Sequence, residues 1–214
     1  MKSKTAKPII AVDIDDVLAA ENEGMRLFIN ETHGTKHTSK DYLIEAPYWG
    51  FWEQVWGVDE DEGHARHEAF VTSGVKASLK VLDGAIPTIN WLKENYELVV
   101  VTSRDNRLVE LTHEWLEKHF PQTFTNIEFV HVWDEDQKAS KRIICKDIGA
   151  SYLIDDNMEH CGDVAKENIQ CLLCLLFGDY GWNKKANLPV GITRVKNWQQ
   201  VRKFFENETH KQSV

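Results

Sequence analysis

Five aspartates stand where this sequence could do chemistry: Asp13, Asp15 and Asp16 in IIAVDIDD, and Asp155 and Asp156 in SYLIDDN. Each set follows a short apolar run of the kind that becomes a buried strand. One acid at a strand end is ordinary turn chemistry. Two sets of adjacent carboxylates are different, because like charges repel and partly desolvated ones are costly unless a cation or a proton compensates. Clustered hard oxygen ligands suit Mg²⁺, which keeps several waters and bridges to substrate phosphate. The expected cofactor is therefore Mg²⁺, with its ligands among these aspartates.

A metal alone does not account for Asp13 and Asp15. In an extended backbone residues two apart share a face, so both carboxylates could address one phosphorus centre. One can attack it, and the other can give a proton to the leaving oxygen and later take one from water. A third apolar run ends in hydroxyls and a cation, VVVTSRDN. Thr102 or Ser103 can donate to phosphoryl oxygens. Arg104 can clamp a phosphate through two nitrogens, or can pair at the surface with Asp105 or Glu110. A lysine opening the helix before the second acidic strand would oppose the charge that builds in the transition state. Lys141 fits by spacing, Lys138 is its alternative, and Lys146 falls one turn later.

These groups need a frame. Short apolar runs at 9–14, 97–103, 127–132, 151–155 and 171–177 alternate with helical stretches at 85–96, 107–120, 138–149 and, more weakly, 161–168, with a last helix in NWQQVRKFFENE. That alternation predicts an α/β fold: a doubly wound, mainly parallel sheet with helices on both faces. Ligands then bind outside the carboxyl ends of the strands, which is where the acids lie. Asp83 is a candidate cap for the helix at 85–96, and Pro87 is tolerated only in its first turn.

Residues 20–80 are too long for a simple crossover. They hold helical stretches at GMRLFINETHG and GHARHEAFVTSG and read as a small helical cap. The expected division is 1–19 and 81–207 for the core, 20–80 for the cap and 208–214 for a flexible tail. The aromatic run YWGFWEQVWG, with Trp49 and Phe51, reads first as cap packing and second as a stacking surface. His33, His37, His64 and His67 read as solvated. A Gly-rich loop, FGDYGWNK, is expected beside the site, with Asp179 structural and Trp182 walling the pocket.

With 42% apolar and 28% charged residues the 214-residue chain is globular, and its net charge of -9 argues against an extended nucleic-acid surface or an anionic membrane partner. A small phosphorylated substrate remains compatible, since a metal ion and local cations reverse the field inside a pocket. MKSKTAK is followed by acids where a signal peptide needs an apolar core. CLLCLLF is far too short to span a bilayer. Four cysteines in a chain of this length suggest no disulfide framework, so a cytoplasmic location is expected. Cys171 and Cys174 read as buried thiols on opposite strand faces.

The order DIDDVL, VVVTSR, Lys141, YLIDDN resembles the four motifs of the haloacid dehalogenase-like (HAD) phosphohydrolases. That resemblance implies an aspartyl-phosphate enzyme with Mg²⁺ on a doubly wound core. Asp13 would be the nucleophile and Asp15 the general acid/base, its backbone carbonyl touching the metal. Thr102 would bind the phosphoryl group, and Lys141 would hold both that group and the nucleophile. Asp156 would be a direct metal ligand, with Asp155 beside it or one water away. VTSRDNR, KRIICKDIGASYLIDDN, LLFGDYGWNK and RVKNWQQV further resemble the cytosolic deoxyribonucleotidase group. Asp16 departs from the glycine common at its position. The activity so implied is a phosphomonoesterase on a small phosphorylated metabolite, a nucleoside monophosphate or a sugar phosphate. The contrasting reading, a HAD-like protein that binds without turnover, fits less well because no motif residue is missing.

Overall fold

Each apolar run becomes a strand. In the computed structural model, which describes residues 6–44, 52–130, 140–175, 183 and 187–212, six strands are present: β1 (Ile9–Val12), β2 (Glu97–Thr102), β3 (Asn126–Phe129), β4 (Ala150–Asp155), β5 (Gln170–Cys174) and β6 (Ile192–Val195). They form one sheet in the order β3-β2-β1-β4-β5-β6, and every pairing is parallel. The helices are α1 (Glu21–His33), α2 (Glu60–Thr72), α3 (Ala85–Leu92), α4 (Val109–His119), α5 (Lys141–Asp147), α6 (Met158–Val164) and α7 (Trp198–Gln212).

Strands buried on both faces need apolar side chains at successive positions. Ile10, Val12, Leu98, Val100, Ile154 and Leu172 line one face, covered by Ile89, Trp115, Trp198 and Phe205 of α3, α4 and α7. Ala11, Val99, Val101, Leu153 and Leu173 line the other, covered by Ile144 and Cys145 of α5 and Met158 and Cys161 of α6. Cys171 and Cys174 fall in different layers, as a spacing of three requires in a strand. All four cysteines are free and buried.

Several elements differ from their sequence expectation. β6 went unanticipated: only its ends, Ile192 and Val195, are buried, so ITRV carries no apolar run. The helix expected at 161–168 starts three residues earlier, because the Asn157 side chain accepts from the amides of Glu159 and His160. Gly84, at φ 83°, opens α3 without a side-chain cap, which leaves Asp83 no capping role. α7 continues through residues 208–212 of the expected tail; Phe205 is buried, and Thr209 donates to its carbonyl at 2.9 Å. Lys138, Asp179, Trp182, Trp49 and Phe51, and the ends of the runs at 131–132 and 176–177, lie outside the described residues.

Between β1 and α3 the chain builds a second, smaller core. It leaves and re-enters as two paired connectors: Ala20 N–H donates to Lys80 O at 2.9 Å, and Leu82 N–H donates to Leu18 O at 2.8 Å. Beyond them α1, α2, a 3-10 turn (Ser39–Tyr42) and a π turn (Trp52–Trp56) bury Met25, Ile29, Tyr42, Trp52, Trp56 and Phe70 together. Trp56 Nε1 donates to Tyr42 Oη at 2.8 Å. The two tryptophans described in this stretch therefore serve packing. His37 and His67 are not solvated as expected. The His37 ring lies 6.5 Å from Tyr42 with Nε2 buried, and His67 sits 6.3 Å from Trp52, its pKa pushed down to about 4 by burial and then by Lys76.

Candidate active site

In the order β3-β2-β1-β4-β5-β6 the direction of strand addition reverses between β1 and β4, the place where sheets of this kind bind ligands at their carboxyl ends. β1 stops at Val12, and Asp13 continues its ladder by donating to Ile154 O at 2.9 Å. The next residues form a tight loop. The carbonyl of Ile14 accepts from Val17, Leu18 and Ala19 at 3.2, 2.7 and 2.8 Å, and Trp198 Nε1 braces Val17 O at 3.0 Å. Ile14 and Val17 are fully buried, which fixes the loop and with it Asp13, Asp15 and Asp16.

Asp13, Asp155 and Asp156 bring one carboxylate oxygen each within 4.8 Å of one another. Lys141, 3% exposed, reaches into this group, with Nζ 3.0 Å from Asp13 Oδ2 and 2.7 Å from Asp155 Oδ2. Ser140 caps α5 by accepting from Ile143 N–H, and this sets Lys141 in the first turn. Lys146 instead pairs with Glu167 at 3.1 Å on the surface. Asp155 has both oxygens engaged: Oδ2 by Lys141, and Oδ1 by the Asn157 amide at 2.8 Å, with His160 Nδ1 at 3.4 Å. Among the described residues no side chain donates to the Asp156 carboxylate. Burial pushes Asp13 up to about 6 against the pull of Lys141, and burial with Asp155 and Asp16 close by lifts Asp156 well above the carboxylate range. Hard, buried, under-compensated oxygens are the donor set that fits a divalent cation.

Asp15 sits in different company. Arg104 Nε donates to both its oxygens at 3.0 and 3.1 Å, and Nη2 donates to Oδ1 at 2.5 Å. Nη1 turns to Thr112 at 3.4 Å. Arg104 is thus not the partner of Asp105 or Glu110 that the sequence allowed; among the described residues its carboxylate partner is Asp15. Its guanidinium is spent on Asp15, and Asp105 pairs with Arg107 at 2.7 Å. A second cation comes from the smaller core: Lys76, 4% exposed, lies 3.6 Å from Asp15 Oδ2 and is hydrogen-bonded to Glu21. Burial raises the Asp15 pKa, but Arg104 and then Lys76 outweigh it and hold the carboxyl well below its ordinary value. Lys76 and Glu21 escaped the sequence reading, because nothing in VKAS or ENEG marks them as chemistry.

Asp16 adopts φ 53°, the left-handed region where glycine costs least, and is 3% exposed. Its side chain compensates by accepting from Asn22, from the amide at 3.0 Å and from the side-chain nitrogen, which ties the loop to the first turn of α1. Burial lifts its pKa to about 8. Thr102 and Ser103 close the end of β2, next to β1 in register. Thr102 is 1% exposed and its hydroxyl accepts from the Arg104 amide at 3.3 Å, while the Ser103 hydroxyl oxygen is buried without a partner.

The strand order, with acids at the ends of β1 and β4 and hydroxyls at the end of β2, is that of the HAD-like hydrolases. Solved structures agree on the fold. The haloacid dehalogenase-like hydrolase SP0104 of Streptococcus pneumoniae superposes with a TM-score of 0.66 at 14% identity, covering 94% of this chain and 99% of that one. The HAD hydrolase YfnB of Bacillus subtilis, solved bound to magnesium, gives 0.60 at 13% identity, covering 94% and 99%. In sequence, YqfW of Bacillus subtilis (strain 168), named provisionally as a nucleotidase, is 24% identical over 94% of this chain and 95% of its own. The profile of the family "5' nucleotidase, deoxy (Pyrimidine), cytosolic type C protein" matches residues 7–210. The chain belongs to that family and so to the HAD-like hydrolases that act on phosphate esters. Among the described residues no helix is long and apolar enough to cross a membrane.

Proposed function

We propose that this protein is a Mg²⁺-dependent phosphomonoesterase that passes the phosphoryl group through Asp13, with a small phosphorylated metabolite, foremost a nucleoside monophosphate, as substrate. The observation that carries the reading is the group of buried Asp13 and Asp155 and half-buried Asp156, with Lys141 bridging the first two. Asp13 and Asp156, with the backbone carbonyl of Asp15, would hold the ion, and Asp155 would orient Lys141. Bound there, Mg²⁺ supplies charge neutralisation and polarises the phosphoryl group.

The chain's own residues divide the rest. Asp13, steadied by Lys141, attacks phosphorus; the Asp13 O–P bond forms as the bond to the leaving oxygen breaks, and Asp15 passes a proton to that oxygen. Water then attacks the phosphoryl-aspartate, Asp15 takes its proton, and the Asp13 carboxylate returns. Thr102 and Ser103 donate to the equatorial oxygens, a use that gives the buried Ser103 hydroxyl a partner. In the arrangement described, Arg104 and Lys76 hold Asp15 ionised, which suits the second step. An arriving phosphoryl dianion competes for Lys76, and this would free Asp15 to carry a proton in the first step. The family match supports a nucleotide.

The test is phosphate release across nucleoside monophosphates and sugar phosphates, with and without divalent cations, using Asp13→Asn as the blank. Metal-dependent turnover with nucleotides ranked first is expected. Full turnover after exhaustive chelation would overturn the metal assignment, and a sugar phosphate ranked first would overturn the nucleotide.

A further inference from the structure

Asn183 lies in the stretch that follows β5, remote in sequence from the acids, yet it is fully buried against them. Its side-chain amide uses both ends on one short turn. Nδ2 donates to the carbonyl of Asp156 at 2.5 Å, and Oδ1 accepts from the amide of Met158 at 3.2 Å. The chemistry of the partners fixes this orientation, since a carbonyl takes only a donor and an N–H only an acceptor. Asn183 is itself anchored, its carbonyl accepting from Arg194 Nη2 of β6 at 2.9 Å.

The turn so held runs from the end of β4 to the start of α6 and carries Asp155 and Asp156. Asp155 is steadied independently by Lys141 and by the Asn157 amide. Asp156 has no such support on its side chain among the described residues. The direction of its carboxylate therefore depends on its backbone, and the amide of Asn183 grips that backbone. We propose that Asn183 is a positioning residue for divalent-cation binding, acting through the Asp156 peptide to aim the Asp156 carboxylate at Asp13 and Asp155. The proposal rests on the metal reading above and adds a residue that neither the acidic motifs nor the family match assigns. Outer partners that orient metal ligands typically govern affinity by about 10–100-fold.

The experiment is a titration of the full chain with Mn²⁺ without substrate, following the free-ion electron paramagnetic resonance signal. Thermal unfolding and circular dichroism serve as folding controls. Asn183→Ala is expected to fold and to raise the Mn²⁺ dissociation constant about tenfold or more. Asn183→Asp is isosteric and keeps an acceptor for Met158; a protonated carboxyl would still donate to the Asp156 carbonyl, so this variant is titrated as pH rises, and once ionised it loses that donor. The charge it then adds would by itself tighten cation binding, so binding that falls below wild type as pH rises is the expected and discriminating result. Should the alanine variant fail to fold, the aspartate variant decides. A folded Asn183→Ala within about twofold of wild type, or Asn183→Asp that stays at or above wild-type affinity as pH rises, overturns the proposal. No Mn²⁺ binding by the wild type would instead overturn the metal reading itself.

Discussion

Arg104 lies along Asp15, with Nη2 2.5 Å and Nε 3.0 Å from the same oxygen, Oδ1. Arg104 is buried and cannot turn elsewhere without leaving the half-buried Asp15 carboxylate to Lys76 alone. In the mechanism proposed above, this pairing makes Arg104 act through Asp15.

Arg104→Met should therefore lower kcat by about the 10²-fold that misplacing a general acid/base costs, with KM changed little. Arg104→Lys should not restore it, because a single ammonium lacks the planar fork. Steady-state kinetics on nitrophenyl phosphate and on a nucleotide settle this. A large rise in KM with kcat intact would return Arg104 to the phosphate.

Lys76 and Glu21 should be coupled in stability. Lys76→Met strands Glu21, whose Oε2 is already buried without a partner, and removes one of two cations near Asp15. Breaking one side of a buried pair costs about 3–5 kcal/mol. The double variant Lys76→Met with Glu21→Gln should recover part of that loss in urea unfolding. Strict additivity of the two single changes would show that the pair is independent.

The metal-free protein should lose stability as pH rises from about 4 to 8. Asp16 keeps its proton in the folded state to about 8 and Asp13 to about 6, whereas an unfolded aspartate ionises near ~3.9. Below both values the two states bind protons equally and nothing is lost. Between them the unfolded chain binds fewer protons, so unfolding is favoured progressively. Asp15, held low, works in the opposite direction in acid below that window, and His67, pushed down to about 4, opposes the loss up to about pH 6.5 without cancelling the two aspartates. Melting temperature against pH, repeated with Mg²⁺ and with Asp16→Asn, checks this. Both additions should flatten the slope, and a slope unchanged in Asp16→Asn would remove Asp16 from the account.

Gly63 lets α2 approach the π turn. A Cβ built there meets the Trp52 side chain at 2.6 Å. Gly63→Ala should cost about 1–3 kcal/mol by overpacking the small core, a fall of roughly 2–4 °C per kcal/mol in a chain of this size. The chemistry of the acids should be untouched. A melting temperature equal to wild type would mean that Trp52 moves aside freely.

Much of the architecture is local and could be read in advance. Five of six strands announce themselves as apolar runs, four of them because a parallel sheet buried on both faces demands it. The acids at the ends of β1 and β4 and the hydroxyls at the end of β2 follow from strand order alone, and Lys141 follows from its place in the first turn of a helix. What stayed hidden depends on residues far apart meeting in space. Arg104 finds Asp15 across 89 positions, and Lys76 finds Glu21 across 55. A charged residue next to a strand or on a short turn has no period or spacing that names its partner. Asn183 is an ordinary loop residue until the return of the chain past β5 sets it on the Asp156 carbonyl. The sequence by itself determined which groups stand at the carboxyl edge, because burial patterns are local. Only the tertiary structure decided which cation each carboxylate keeps, because ion pairing in a desolvated crevice is settled by the shortest distances among groups brought there by separate elements.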